Sequence, residues 1–427
     1  MNTVKHIKQA YYAVLFLNWL AMALPLALLV LILQTRDINL FQVGLLMGAY
    51  SLTIVLLEVP TGGLADAVGR KRVTLLAYAV TTVATVLILF AFSFPLILFA
   101  FVLNGVGRAL SSGALDAWFI DALQTADPHI DIQPPLAQAN TVSLIALGSG
   151  TLLGGLIPQW FAWLPAEGTA VLTPFTTTIV AALLVRLLLF IVLIVAVKEA
   201  QPRDGKPQWR SAFQQLPAII RDAAQLSRSN HTILLLLGTT FASGLAILSL
   251  ETFWQPFFAG LLGGGEENSF FFGMLMTGYF LVGIAGNLLA TYLSKLLRKQ
   301  YALVAALFQG LEGILLIGLA AMTAVIPAVA LFWLAYMSLS SVNSPQAALF
   351  NREIPAKRRS AMLSVQSLSG YAGSILGSAG LGYVAETFSI QAAWTIAGGL
   401  LLVSLFLYLR IHTQKRHEQK TSILPTS

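Results

Sequence analysis

The chain has 427 residues, of which 57% are hydrophobic and only 10% are charged. A soluble domain carries about 25% charged residues, so this composition excludes a soluble globular protein and predicts one whose surface is solvated by a lipid bilayer. The absence of cysteine excludes disulfides, thiolate metal sites and cysteine nucleophiles.

Twelve segments of the sequence are long and apolar enough to cross a membrane, which takes roughly 20 residues of helix. They predict an all-α polytopic membrane protein with 12 transmembrane helices. The first segment is too long for a signal-peptide core and eleven more follow it, so we expect it to be retained. The predicted segments are 11–34, 40–61, 73–92, 95–121, 136–158, 172–197, 232–261, 270–294, 301–322, 326–350, 360–387 and 390–411.

The basic residues predict the orientation of the chain. If the N-terminus is cytoplasmic, 22 of the 25 Lys and Arg residues lie in cytoplasmic segments, which is the bias that such loops show. The exceptions are Arg36, Arg108 and Arg186. We therefore expect a multi-pass protein of the cell inner membrane with both termini in the cytoplasm. The net charge of +7 then reflects this orientation, and no nucleic-acid partner is expected.

A long polar segment divides the predicted helices into six and six, as two parallel six-helix pseudo-repeats require. The predicted domains are an N-terminal six-helix bundle over 1–198, a cytoplasmic central linker over 199–230, a C-terminal six-helix bundle over 231–412 and a cytoplasmic tail over 413–427. Within the linker, residues 209–226 predict either a short amphipathic helix on the inner surface or an ordinary solvated connection.

Glycines recur at helical spacing on three of the predicted helices. Gly105 opens a run of small residues on the fourth, Gly150 and Gly154 lie on the fifth, and Gly373 and Gly377 lie on the eleventh. Small residues let helices approach closely in a membrane, where no hydrophobic effect drives them together. The pattern predicts helix contact faces, which either slide during a transport cycle or pack statically.

A hydrophilic stretch over 58–72 reads EVPTGGLADAVGRKR and follows the second predicted segment. It resembles the loop between helices two and three of major facilitator superfamily transporters, whose pattern is G-x-L-A-D-R-x-G-R-K. Ala67 stands where that family has an arginine. The opening Glu-Val-Pro-Thr is similar to a subgroup of the superfamily that is rich in drug exporters. The residues that match the pattern are Gly62, Leu64, Ala65, Asp66, Gly69, Arg70 and Lys71.

This stretch has a physical role available on the predicted cytoplasmic side. Asp66 would face unpaired N–H groups at the start of the eleventh helix, near Ser360, where the helix dipole favours a carboxylate. Arg70 would pair with Asp121 at the inner end of the fourth helix. The resemblance implies the same latch between the two halves, and a solvated loop is the alternative. The predicted gate residues are Glu58, Gly62, Asp66, Gly69, Arg70 and Asp121.

Five charged residues lie deeper in the predicted membrane segments, away from their ends: Arg108, Asp116, Arg186, Glu251 and Glu312. A charge near the centre of a membrane helix costs at least ~2.5–3.5 kcal/mol, so each is a functional candidate. On one continuous helix, Arg108 and Asp116 would lie about 12 Å apart along the axis. They could not pair directly, so each needs a partner elsewhere.

The two glutamates admit three interpretations. Burial disfavours the charged form of a carboxyl group, so Glu312, near the middle of an apolar run, is the preferred proton carrier, with Glu251 as the other candidate. Alternatively, the buried charges form salt bridges between the halves that break and re-form as the cavity alternates. In the third interpretation, they pair for structure alone.

The two arginines in the membrane segments would suit a ligand with a carboxylate or phosphate group. Polar and aromatic residues on the first and seventh helices would line an aromatic cavity beside them, although lipid-facing or packed positions are the alternative. These candidates are Asn18, Trp19, Trp254 and Gln255.

Nothing in the sequence indicates catalysis. There is no cysteine to complete a histidine metal site and no Walker phosphate loop, so we expect no enzyme activity, no cofactor and no metal. We predict a monomeric secondary transporter whose partners are a small-molecule substrate, protons and the lipid bilayer. The resemblance implies proton-coupled export of small amphipathic organic compounds. The alternatives are a proton-coupled importer or facilitator of an organic anion, and a non-transporting membrane receptor or scaffold.

Overall fold

The computed structural model describes residues 3–165, 170–199, 221, 230–265, 267–354 and 359–421, but not the side chains at 59–60, 62–63, 66–67, 359–361 and 415–421. Of the predicted helix over 209–226, all residues except 221 lie outside the described part. The described part contains fourteen α-helices, which confirms the all-α prediction. They are α1 Val4–Leu26, α2 Leu29–Gln34, α3 Leu40–Val68, α4 Arg70–Phe90, α5 Phe94–Ser111, α6 Ala114–Ala126, α7 Gln133–Trp160, α8 Thr177–Ala196, α9 His231–Leu262, α10 Ser269–Leu296, α11 Tyr301–Ala320, α12 Val325–Glu353, α13 Arg359–Thr387 and α14 Ile390–Thr421.

Eleven membrane-length apolar spans are present in the described part, with α5 and α6 forming one of them. The eleventh predicted segment folds as α13, a helix of 29 residues that is not among those spans. Its glycine and serine residues make it less apolar than the others, and Gly373 and Gly377 lie on one face of it. A Cβ atom at Gly373 would lie 2.1 Å from the carbonyl oxygen of Phe241, and one at Gly377 would lie 2.2 Å from that of Leu245. That face packs directly on the backbone of α9.

The stretch predicted to be a loop after the second segment is instead almost entirely helical. α3 continues to Val68 and α4 begins at Arg70, so Gly69 alone separates the two helices. Its φ is 108°, in the left-handed region that favours glycine. Leu64, Ala65 and their neighbours up to Val68 include no residue that ends a helix. Asp66 therefore lies on a helix rather than in a loop.

The fourth predicted segment is broken rather than continuous. α5 ends at Ser111, Gly113 adopts a φ of 72°, and α6 begins at Ala114. Serine and glycine are poor helix formers, because serine competes for backbone hydrogen bonds and glycine loses most entropy on ordering. The break lies between Arg108 and Asp116, so the separation expected for one continuous helix does not apply to them. At the other end of the chain, the described part of the predicted tail, up to Thr421, continues α14.

Arg36, the basic residue that breaks the predicted orientation bias, closes the end of α4. It is 6% exposed, and its guanidinium donates to the carbonyl oxygens of Ile88, Leu89 and Ala91. The ring of Phe92 lies 5.0 Å from the guanidinium carbon. Burial lowers the pKa of the guanidinium, and the helix carbonyls supply the negative partial charge that offsets this. Arg36 thus has a structural role that the sequence did not reveal.

The chain divides into two compact units. The first comprises Met1–Leu216 and Phe258–Thr277. In it, α1 packs against α7 and α8, and α5 packs against α3 and α4. A Cβ atom at Gly154 of α7 would lie 2.0 Å from the carbonyl oxygen of Leu24 in α1. Gly155 meets the backbone of Gly273, near the start of α10, which explains why this part of α10 belongs to the first unit.

The second unit comprises Pro217–Phe257 and Gly278–Ser427. In it, α11 packs against α12 and α14, and α13 packs against α14 as well as α9. Gly313 of α11 meets the backbone of Gly398 in α14. The buried core near one end of these helices includes Phe308, Phe350 and Tyr408. Helix contacts through glycine backbone therefore organise both units.

Candidate functional site

A cavity of about 230 Å³ lies inside the first unit, between α1, α3, α4, α5 and α8. The predicted cavity residues Asn18 and Trp19 are on its wall, and so are both membrane arginines. No Asp or Glu is among the described residues that line it. The complete lining is Asn18, Trp19, Ala21, Met22, Pro25, Leu26, Leu29, Met47, Tyr50, Tyr78, Thr81, Thr85, Ile88, Phe101, Asn104, Arg108, Ser111, Ile179 and Arg186.

Arg186 is the buried cation of this cavity. Its side chain is 7% exposed in the middle of α8, and its Nη1 donates to Thr81 Oγ1 at 3.0 Å. Its Nε has no hydrogen-bond partner. Among the described residues of the first unit, no carboxylate forms an ion pair with it. The cavity therefore holds a charge that the surrounding protein compensates only in part.

Arg108 supplies a second positive charge from the last turn of α5 and, unlike Arg186, is exposed. Tyr78 and Thr81 of α4 complete the wall next to these arginines, and sequence reasoning missed both. The available signal was the run Thr81, Thr82 and Thr85, three hydroxyl residues in an otherwise apolar helix.

Asp116 has its own partner on another helix. Its Oδ1 accepts a hydrogen bond of 2.5 Å from the Tyr11 hydroxyl. The Tyr11 ring in turn stacks on Phe119, with ring centroids 3.9 Å apart. The carboxylate thus connects α6 to α1 and is not among the residues lining the cavity. The expectation that Asp116 needs a partner other than Arg108 fits this geometry.

Glu312 is the buried carboxyl group of the second unit. It is 2% exposed in α11, and its Oε2 has no hydrogen-bond partner. The hydroxyl oxygen of Tyr336 in α12 is also buried without a hydrogen-bond partner, and the hydroxyl of Tyr408 in α14 is buried close to Thr239. Both tyrosines lie close enough to Glu312 to interact with it electrostatically. The Glu312 carboxyl group and two tyrosine hydroxyl groups therefore share one buried region.

The hydrogen-bonded side chains on the helices around Glu312 are uncharged amides and hydroxyls. Gln309, one turn before Glu312 on α11, donates to Ser404 Oγ and accepts from Ser243 Oγ at 3.4 Å. On the neighbouring helices, Gln346 Nε2 donates to Thr240 Oγ1 at 2.9 Å. No arginine or lysine of the described second unit forms an ion pair with Glu312. An ion pair within the described second unit therefore does not explain why an ionisable residue occupies position 312.

Glu251, the other candidate, differs from Glu312 in exposure, because its side chain on α9 is exposed. It interacts electrostatically with Tyr279 and with Tyr336, whose rings meet edge-on with centroids 3.9 Å apart. Tyr336 thus interacts with both glutamates. The structure places the two carboxyl groups around one tyrosine, an arrangement that sequence spacing could not show.

Two residues of α9, Trp254 and Gln255, were predicted to line a cavity, and both are buried. Trp254 is 1% exposed and packs against Phe332, with ring centroids 5.5 Å apart. Gln255 is 3% exposed. Neither is among the described residues that line the cavity of the first unit, so their predicted cavity role stays a prediction. They belong to α9, whose buried face carries large aromatic side chains.

At the α3–α4 junction, Arg70 Nη1 and Asp121 Oδ2 lie 2.5 Å apart, so the predicted ion pair forms. The Arg70 guanidinium also donates to the carbonyl of Ala117 in α6. Sequence reasoning missed Glu199, whose carboxylate accepts from the backbone N–H groups of Arg70 at 2.7 Å and Lys71 at 3.1 Å. It caps the start of α4, where the helix dipole favours a negative charge.

Glycine at position 69 makes this cap possible, because a Cβ atom there would lie 3.1 Å from Glu199 Oε2. Glu58 accepts a hydrogen bond of 3.4 Å from Ser112 Oγ, at the break between α5 and α6. The side chains at positions 62 and 66 lie outside the described residues, as does the side chain of Ser360. The predicted contact of Asp66 with the start of the eleventh segment therefore stays a prediction.

Comparison with known proteins identifies relatives of the whole chain. The model of the Major Facilitator Superfamily matches residues 11–273 and 266–425. The uncharacterized MFS-type transporter YxaM of Bacillus subtilis (strain 168) is 21% identical over 415 residues, which are 97% of this chain and 98% of that protein. The structure of the nucleoside transporter NupG is similar, with a TM-score of 0.74 and 14% identity, over 96% of this chain and 99% of that one. The structure of the human organic anion transporter MFSD10 (TETRAN) is also similar, with a TM-score of 0.62 and 17% identity, over 96% of this chain and 100% of that one.

Proposed function

Because the chain belongs to the Major Facilitator Superfamily, we propose that it is a secondary transporter working by alternating access, which couples proton movement to the export of small amphipathic organic compounds. The carrying observation is Glu312, a carboxyl group buried in an apolar helix with one oxygen unsatisfied. Proton coupling needs a group that binds a proton in one state of the cycle and releases it in another. The export direction rests on the resemblance of the Glu-Val-Pro-Thr stretch to drug exporters.

The surroundings of Glu312 suit such a switch. When protonated, it is neutral and its hydroxyl can donate to a nearby oxygen, which the hydroxyls of Tyr336 and Tyr408 provide. When ionised, it would need water or a cation, because a buried charge without a partner is costly. The proton would therefore leave only when the region opens to water. The two protonation states thus favour different states of the cycle.

The cluster at the α3–α4 junction would hold the predicted cytoplasmic gate in register. The Arg70–Asp121 pair joins α4 to α6, and Glu199 ties the start of α4 to the end of α8. In addition, Lys71 Nζ donates to the carbonyl of Ile194, at 2.8 Å. Three helix ends therefore move as one body. Asp66, on the same junction, would supply the contact that closes the gate.

A second candidate function is the import or facilitated passage of an organic anion. It is favoured by one observation: the cavity of the first unit has two arginines on its wall and no acidic residue among its described lining. The two candidates differ in direction, and only the second specifies the charge of the substrate. They share the proton-binding role of Glu312, so a direct test must separate coupling from direction.

The test uses a pump-deficient bacterial host grown on a broad panel of toxic compounds. It would express the wild type, Glu312→Gln, Asp66→Asn or Glu386→Gln, with protein levels matched by blot. Glu386→Gln is the matched control, because this exposed glutamate at the end of α13 lies outside the candidate site. We expect resistance from the wild type and the control, and loss of resistance in the other two variants.

Two outcomes count against the proposal. If no compound separates the wild type from the empty vector while radiolabelled organic anions accumulate faster in expressing cells, import replaces export. If Glu312→Gln retains full resistance, the proton does not travel on Glu312. A carbonyl cyanide protonophore added to the wild type should abolish resistance, since a coupled pump stops when the gradient collapses.

A further inference from the structure

We infer that the cavity of the first unit binds the anionic group of the substrate, a carboxylate or a phosphate, and holds an apolar aromatic body beside it. The inference rests on the proposed transport function and adds the substrate's chemical class to it. Three features of the cavity carry it: a buried guanidinium without a counter-charge, a lining free of acidic residues among the described positions, and a mixed aromatic and amide wall.

The first step is the charge balance at Arg186. Its side chain is 7% exposed, its hydrogen bond among the described residues goes to Thr81, and its Nε has no hydrogen-bond partner there. Arginine keeps its charge at any pH a cell meets. A buried charge is destabilising unless a protein group or a bound ligand supplies the opposite charge. Because Arg186 is on the cavity wall, a ligand bound in the cavity can supply it.

The second step is the neighbouring charge. Arg108 reaches the same cavity from α5, and its exposed side chain is free to approach a ligand there. Guanidinium groups bind carboxylate and phosphate oxygens through two parallel N–H donors, which fixes the orientation of the bound group. Asp116, the nearest acid in sequence, already accepts from Tyr11. Two cations without an acidic partner in the described lining select an anion.

The third step is the rest of the wall. Trp19, Phe101 and Met47 offer apolar surface, and the amides of Asn18 and Asn104 offer hydrogen bonds. Ligand sites commonly combine a mainly apolar lining with a few polar groups that set orientation. A volume of about 230 Å³ admits a small compound. The predicted ligand is therefore a small aromatic or alicyclic acid, or its phosphate counterpart.

The test is a binding titration of the purified full-length protein in detergent. The probes share one naphthalene ring and differ in its substituent: 1-naphthoate, 1-naphthyl phosphate, 1-naphthalenemethanol and 1-naphthylmethylammonium. We expect at least one anion to bind about tenfold or more tightly than the alcohol, since a charge-assisted hydrogen bond is about twice as strong as a neutral one. The ammonium should bind more weakly than the alcohol. The two anions distinguish a carboxylate site from a phosphate site.

The variants assign the preference to the arginines. Arg186→Met and Arg108→Gln should each reduce the anion preference about tenfold, whereas Arg410→Gln, an exposed arginine of α14, should leave it unchanged. Without probe, Arg186→Met should unfold at the same temperature as the wild type or higher, because it removes an uncompensated buried charge. A purely structural arginine would lower that temperature. Arg186→Lys keeps the positive charge but loses the two parallel N–H donors of the guanidinium, so it should bind the anionic probes with intermediate affinity.

Three results would overturn the inference: equal binding of anion and alcohol by the wild type, an unchanged preference in Arg186→Met, or no binding of either anion at millimolar concentration. If Arg186→Met fails to fold, the comparison of Arg186→Lys with Arg108→Gln decides. The titration needs no proton gradient. A negative titration would therefore contradict the anion site but not proton-coupled transport. Unchanged transport by Glu312→Gln would contradict the proton-binding role of Glu312 but not the anion site.

Discussion

The two units share the same kind of helix packing but bury ionisable residues of opposite sign. In the first, Gly154 of α7 meets the backbone of α1, and in the second, Gly377 of α13 meets that of α9, with Cβ positions 2.0 and 2.2 Å from a carbonyl oxygen. Yet the buried charges of the described first unit are the cations Arg36 and Arg186, while that of the described second unit is the acid Glu312. The same packing scheme therefore carries two different kinds of polar site.

The parallel extends to individual positions. Thr81, the partner of Arg186, and Glu312 lie equally far from the starts of their helices, α4 and α11. Arginine stays charged, so it can bind but cannot exchange a proton at cellular pH. A buried carboxyl group can do both. The difference suggests that the first unit recognises the substrate and the second unit responds to protons.

The largest expected effect separates these two roles. In proteoliposomes, Glu312→Gln should reduce substrate-driven proton movement to the level of empty vesicles, because an amide cannot release a proton. Arg186→Met should weaken substrate binding while leaving proton release intact at saturating substrate. A pH-sensitive dye inside the vesicles measures both. If Arg186→Met abolishes proton movement even at saturation, the division of roles between the units is wrong.

The next effect tests the shared packing. Gly154→Ala and Gly377→Ala should each lower the free energy of unfolding by about 1–3 kcal/mol, because the new methyl group overlaps a backbone carbonyl of the neighbouring helix. Gly380→Ala is the matched control on α13, since a Cβ atom there meets nothing within 4 Å. Denaturant unfolding in mixed micelles gives the comparison. Unequal losses at Gly154 and Gly377 would show that the two units differ in packing as well as in charge.

A smaller effect concerns the helix cap peculiar to the first unit. Glu199→Ala should lower stability by about 0.5–2 kcal/mol, because the first N–H groups of α4 lose their acceptor. Glu267→Ala, an exposed glutamate in the turn before α10, should change little. The measurement is the unfolding temperature of the purified variants. Equal effects would mean that water replaces the cap at no cost.

The smallest effect is the ion pair at the same junction. A double-mutant cycle on Arg70→Ala and Asp121→Ala should give a coupling energy of about 0.2–1 kcal/mol, since the side chain of Asp121 is 56% exposed. The coupling should fall as salt is raised. A much larger, salt-independent value would show that the pair is buried in the membrane-embedded protein. Transport assays of the same variants would show whether the pair also controls the rate of the cycle.

Several features of the site could be anticipated from the sequence because each depends on a local pattern. A charge within an apolar segment is visible without a structure, which is why Arg186 and Glu312 were found. Arg70 and Asp121 were paired because both lie at predicted inner helix ends. Tyr336 was missed because a single hydroxyl in an apolar helix has no sequence signature of its own, and Thr81 was missed although the run Thr81, Thr82 and Thr85 offered one. Glu199 was missed for a related reason, because its partners lie far away in the chain.

The sequence by itself determined the fold class, because long apolar segments admit one stable solution in lipid: a helix that satisfies its own backbone hydrogen bonds. It also determined which charges are unusual, because burial in such a segment is costly wherever it occurs. Only the tertiary structure decided that Gly69 is the whole junction between α3 and α4, that Gly113 breaks the fourth segment, and that Trp254 is packed. These depend on which helix faces meet, and periodicity identifies a face without naming its partner.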